Sequence, residues 1–172
     1  MVKIFGSLLV IFSLGMTGIC KADKLRKRYE ELLDFRKILV MLQGEIRYNN
    51  ATISEAFAHV GRHFSGSYKK ILDKASDKTA ENSGNSLEEI WIHIVDEYKG
   101  DLNVKDNEID IIKELGRSMG YLDCEMQENA LNMLIEKIQV VIDEQGGKLP
   151  ENVKVYRCMG IMLGIFVVLL IV

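Results

Sequence analysis

The two ends of this chain carry its longest uncharged runs, and the flank of each run that faces the middle of the chain is basic. Ile4 to Ile19 contains no charged side chain, and neither does Cys158 to Val172. A helix needs about 17–25 largely apolar residues to cross a bilayer. Val2 and Cys20 extend the first run. Val155 and Tyr156 extend the second beyond Arg157, whose long stem lets its guanidinium reach the interface. Lys21, Lys24, Arg26, Lys27 and Arg28 follow the first run, and Lys148, Lys154 and Arg157 precede or enter the second. Lys and Arg are retained on the cytoplasmic side. The pattern therefore predicts transmembrane helices at 2–20 and 155–172, with a cytoplasmic segment over 21–154. A secretory signal would carry its basic residues before the apolar run, where only Lys3 stands. A lipoprotein site at Cys20 would want a small residue before it, and Ile19 is not small.

A formal net charge of -3 does not suggest a nucleic-acid partner. Proline occurs once in 172 residues, which favours long uninterrupted helices. Cys20, Cys124 and Cys158 are odd in number and match no zinc or disulfide spacing, so reduced thiols in a cytosolic setting are expected.

Between the terminal runs, apolar residues recur at helical spacing. Leu25, Tyr29, Leu32, Leu39, Leu42 and Ile46 predict one amphipathic helix to Tyr48, broken by Asn49, Asn50 and Ala51. Thr52-Ile-Ser-Glu55 and Ser86-Leu-Glu-Glu89 are capping-box patterns. They predict a short helix starting near Ser54, carrying Phe57, Val60 and Phe64, and another carrying Ile90, Trp91, Ile94, Val95 and Tyr98. Tyr68 to Ala75 predicts a further short helix after Gly66, and the polar stretch from Ser76 to Ser86 predicts a loop. Asp106 is placed as the cap of a helix with Ile109, Ile112 and Leu115 inward. Asp123 caps a long helix to Gln145, with Met126, Ala130, Met133, Leu134, Ile138, Val141 and Ile142 as its inner stripe. Gly146-Gly147 should end it, and Pro150 should start a new helix leading to the last run. No sustained two-residue alternation signals a strand. The fold class expected is all-α, an antiparallel bundle of about six helices with N- and C-terminal transmembrane helices.

The residues offer little catalytic chemistry. There is no phosphate-binding or dinucleotide glycine motif and no nucleophile elbow. His59 and His63 share a helix face at a spacing that can hold a metal, with Glu55 the one obvious third ligand. Two partly exposed histidines are the plainer account, and His93 beside Trp91 is read as structural. Glu30-Glu31 and Glu88-Glu89 read as solvated helix faces. The expectation is a non-enzymatic protein with no cofactor and no metal. Two stretches look specific without looking catalytic: "LQGEIRYNNATISEAF" (42–57) and "LGRSMGYLDCEMQEN" (115–129). Gly116 and Gly120 lie one turn apart and would let a helix approach closely. Gly160 and Gly164 form the same pair in the last run, where close helix packing in lipid uses it. Each of these residues can equally serve turn shape and helix spacing alone.

In this order and spacing, "GEIRY" followed by "TISEAF", "LGRSMGYLD" followed by Gln127, and the arginine-anchored "RCMGIMLGI" between two apolar ends resemble the stage III sporulation protein AB family of endospore-forming bacteria. The likeness covers essentially the full length. This chain has Gln43-Gly44 where familiar members have Leu-Glu, Thr52-Ile53 where they have Thr-Pro, and Met159 where they have Leu. What the resemblance implies is a component of a channel-like complex between mother cell and forespore, similar to the inner-membrane platform of type II secretion and type IV pilus machines. Its implied partners are the other proteins of the stage III sporulation A operon, including the AA ATPase, and membrane lipid, with self-association left open and no nucleic acid. Its implied place is the mother-cell, outer forespore membrane. A static anchor or scaffold is the alternative within the same setting, and a metal-dependent or sensory protein is a third class resting on His59 and His63. The partner surface is expected at the bundle end carrying the 76–86 loop and the turns near Asn49 and Gly120. Glu45, Arg47, Tyr48 and Asp123 are its candidates, with helix capping as the competing role, favoured for Asp123.

Overall fold

The computed structural model describes the backbone of residues 2–49, 51–81, 84–120 and 123–171, and side chains chiefly between 19 and 159. Among the described residues there are six α-helices and one short 3-10 turn, and no strand. They are α1 (Val2–Asn49), α2 (Ile53–Gly61), α3 (Gly66–Ala80), α4 (Leu87–Tyr98), the 3-10 turn Lys99–Asp101, α5 (Asp106–Met119) and α6 (Cys124–Ile171). The chain divides into two compact units, one of residues 1–30 with 143–172, the other of residues 31–142. The second unit is narrower than the expected 21–154 segment. Among the described residues no helix is long and apolar enough to cross a membrane. The predicted spans 2–20 and 155–172 fall on the helical backbone of α1 and α6, but most of their side chains, and the surroundings of Gly160 and Gly164, lie outside the described ones.

The core of the 31–142 unit follows the periodicity. Leu32, Phe35, Ile38, Leu39, Leu42 and Ile46 line one face of α1, and all are buried. Trp91 is the largest fully buried side chain among the described residues. The indole stacks on Phe57 at 5.4 Å between ring centroids, and its Nε1–H donates to the carbonyl of Ile112 at 2.8 Å. A large apolar ring is thus buried without orphaning its one polar atom. Three helices, α2, α4 and α5, are joined through this residue.

Helix starts obey their caps. The Thr52 hydroxyl accepts from the Glu55 N–H while Glu55 accepts from the Thr52 N–H, so α2 begins at Ile53, one residue before the expected start. Ser86 and Glu89 do the same for α4. At α5 the cap is Lys105 and not Asp106: Asp106 is already helical, and Glu108 accepts the Lys105 N–H at 2.8 Å.

Three expectations need correcting. The loop assigned to 76–86 begins later, because α3 continues to Ala80. Ser76 is buried on α2. Its hydroxyl donates to the Ser54 carbonyl at 2.9 Å, and the Ser54 hydroxyl donates to the Ser76 carbonyl at 3.0 Å. A polar residue was read as solvent-facing when its hydrogen bonds are satisfied inside. Next, α6 does not stop at Gly146-Gly147, and Pro150 sits inside it. Within the terminal unit a Cβ on Gly146 would lie 3.1 Å from the Tyr29 hydroxyl oxygen, so this glycine makes room for a neighbouring ring and does not end the helix. Finally, the inner stripe of α6 holds at Leu134, Ile138 and Ile142 but not at Met126, Ala130, Met133 and Val141. Gln127, Leu131, Leu134, Ile138 and Ile142 are buried, while Met126 and Met133 are exposed and Ala130 and Val141 are half-buried.

Candidate partner surface

The residues singled out in "GEIRY" lie at the C-terminal end of α1, where Glu45 and Arg47 make hydrogen bonds. Glu45 accepts from the Asn49 amide at 3.0 Å and shares a hydrogen bond with His59 Nδ1 of α2 at 3.0 Å. The Asn49 hydrogen bond first, then His59, holds the Glu45 carboxyl below its ordinary value of 4.5. Arg47 donates to Glu128 of α6 at 2.8 Å and lies 5.4 Å from the Tyr48 ring centroid. Gln43, one turn earlier, donates to Asn132 at 2.7 Å. These two contacts step up α6 as they step down α1, so the helices run antiparallel as neighbours here. Tyr48 is 75% exposed. A large aromatic left in water beside a guanidinium is the kind of side chain that anchors protein contacts.

Asp123 has the capping role. One carboxylate oxygen accepts from the Met126 N–H at 3.1 Å, three residues into the helix, as an N-cap does. Gln127, four residues on, is buried and donates to the carbonyl of Met119 at 3.1 Å. That carbonyl belongs to the last turn of α5, where intrahelical partners run out. The "LGRSMGYLD…Q" pattern therefore describes how α5 ends and α6 begins. Within it, a Cβ on Gly116 would meet the Trp91 Cβ at 2.8 Å and the Glu88 Cα at 3.1 Å. On Gly120 it would meet only carbonyls of its own helix, at 3.4 and 3.5 Å. The close helix approach lies at Gly116.

The histidine pair is not brought to a common ligand. His59 faces Glu45, and Glu55 serves the α2 cap. Among the described residues no group of three or more His, Cys, Asp or Glu side chains could hold a metal. Sequence reasoning missed Glu128, Asn132 and His59 as the groups that fix the end of α1. Their signal was spacing across two distant segments, which a single helix pattern does not contain.

The sequence profile of stage III sporulation protein AB matches residues 3–172. The chain belongs to the stage III sporulation protein AB family. Stage III sporulation protein AB of Bacillus subtilis strain 168 is 20% identical to it over 178 residues, covering 99% of each chain. A solved structure of stage III sporulation protein AB superposes with a TM-score of 0.66 at 17% identity, over 72% of this chain and 96% of that one. The shared helical fold therefore survives wide sequence divergence. Membership of the family assigns the chain to sporulation and agrees with the all-helical bundle.

Proposed function

We propose that this chain is a non-enzymatic membrane platform of a sporulation-specific, secretion-like channel between mother cell and forespore. Its bundle would couple a cytoplasmic ATPase, the AA protein of the stage III sporulation A operon, to membrane partners. The uncharged terminal runs with basic inner flanks support membrane helices at 2–20 and 155–172, with 21–154 on the cytoplasmic side of the mother-cell, outer forespore membrane. The observation that carries the coupling reading is at the end of α1. Glu45 and Arg47 tie that end to α2 and α6, while Tyr48 beside them stays 75% exposed. A fixed platform with an unburied aromatic anchor suits a partner that must transmit movement without bending the surface it pushes on.

The test is capture of the ATPase by the full chain in detergent, compared with Arg47→Glu and Tyr48→Ala. Arg47→Glu places a carboxylate opposite Glu128 and Tyr48→Ala removes the exposed ring, so both should weaken capture at least tenfold with helical circular dichroism unchanged. Capture that survives both substitutions removes the assignment of this surface. Absence of capture by the unaltered chain favours the static-anchor alternative.

A further inference from the structure

A second surface of the 31–142 unit is apolar, lies away from the core, and has a regular spacing. On α6, Met126, Met133 and Val140 are exposed, each seven residues from the next. On α1, Leu33 and Val40 are exposed, again seven apart. Seven residues are nearly two helical turns, so each set forms one stripe. The Gln43–Asn132 and Arg47–Glu128 contacts set the register of the two helices. That register places Val40 about two residues from the level of Met133, and Leu33 about two from Val140, offsets of roughly 3 Å. A helical projection puts both stripes opposite the buried residues Leu39, Leu42, Leu134 and Ile138. Met133 stands out of this face, 73% exposed. Gly44 forms a gap near the same level on α1, where a Cβ would meet nothing within 4 Å.

The charges beside the stripes differ between the helices. The α1 side carries Lys37, whose ammonium lies over the Phe64 ring, and Arg47, paired with Glu128. The α6 side carries Glu125 and Glu136, and also Lys137, whose charge is met by Glu114 of α5, so the carboxylates set its sign; Lys37, Glu125 and Glu136 are exposed. Lys37 is at nearly the level of Glu136, and Arg47 at nearly that of Glu125.

We infer that this face binds a second copy of the same chain, about a two-fold axis parallel to α1 and α6. Rotation about that axis sets α1 of one copy against α6 of the other at unchanged height. Val40 then meets Met133, Leu33 meets Val140, and Met133 of each copy enters the Gly44 gap of its partner. Lys37 faces Glu136, and Arg47 faces Glu125. A two-fold axis across the helices would instead stack α1 on α1 and α6 on α6, bringing like charges together, which disfavours that pairing. A closed, isologous dimer results. Arg47 borders both surfaces, but Tyr48 lies at one end of the stripe and is not required by it, so Tyr48→Ala tests the ATPase surface alone, while Lys37, Glu136, Gly44 and Met133 test the dimer.

The experiment measures the mass of the full chain in detergent by light scattering over a concentration series. The unaltered protein should be a dimer. Lys37→Glu and Glu136→Lys, both at exposed positions, should each raise the dissociation constant at least tenfold, and the two together should restore it. For geometry, copies carrying Gly44→Cys and differently tagged copies carrying Met133→Cys are mixed, in a background with the native cysteines replaced by serine. Oxidation should give the mixed dimer in preference to either like pair. A monomeric unaltered chain overturns the inference. So does a dimer insensitive to both charge reversals, a double reversal that does not restore association, or like pairs that crosslink as readily as the mixed pair.

Discussion

Gly116 and Gly120 are one turn apart on α5, yet only the first is pressed against a neighbour. At Gly116 the obstacle is the Cβ of Trp91 and the backbone of Glu88, neither of which can swing aside. Gly116→Ala must therefore separate α4 from α5 or shift the indole, and overpacking of this kind costs about 1–3 kcal/mol. Gly120 is exposed with a right-handed helical φ of -78°, so Gly120→Ala should leave stability nearly unchanged. Urea unfolding of both variants checks the contrast, and equal losses would place the tight contact elsewhere. The Glu45 carboxyl makes a pH prediction. Its folded value lies below the ordinary 4.5 because Asn49 first, and His59 next, hydrogen-bond the ionised form. A depressed carboxyl contributes stability above its unfolded value and loses it as pH falls through the folded one. Thermal stability should thus decline below pH 4.5, and Glu45→Gln should flatten that decline. Parallel curves for the two proteins would show that Glu45 carries none of it.

The elements that sequence patterns predicted best are those with local chemistry at their starts. The boxes at Thr52 and Ser86 close within three residues, so each start was readable from a four-residue string. Ser86→Ala should cost about 1 kcal/mol, as loss of an N-cap does, and should selectively raise hydrogen exchange in the first turn of α4. Uniform exchange along that helix would mean the cap is not what holds it. The end of α3 and the middle of α6 were not readable, for a different reason. Ser76 is held inside by Ser54, which lies 22 residues away. Gly146 faces Tyr29 on another helix. In both places a residue type that favours loops or breaks is held helical by a partner that no local window contains.

For the whole molecule, the proposed topology makes a direct prediction. A cysteine at Gly84, with the native cysteines replaced, should resist a membrane-impermeant maleimide in intact cells and react once the membrane is opened. Gly84 adopts a φ of +77°, so the folded state is checked by circular dichroism before labelling. Labelling of intact cells would reverse the orientation. The 31–142 unit is held by a core drawn from all six helices. Phe35 stacks on Tyr68 at 6.2 Å, and burial together with the nearby Glu31, Asp34 and Glu108 carboxylates pushes the Tyr68 hydroxyl well above its ordinary value of 10.0.

The sequence by itself determined the helical class, the number of helices and the capped starts of α2 and α4, because apolar periodicity and caps act within a few residues. It also carried the family, through motifs whose order and spacing survive where identity does not. Leu134, Ile138 and Ile142 were legible as inward, and only the tertiary structure decided which face the start of α6 turns to the core. A stripe containing Met126 and Met133 and one containing Gln127 and Leu131 are both plausible helical faces on hydropathy alone. The second is the one observed, with Gln127 satisfying the Met119 carbonyl in the interior. The same holds at the end of α1. Glu45 and Arg47 were readable as special, but their bonds to His59 and Glu128 depend on helices brought together by a core that forms far from them in sequence.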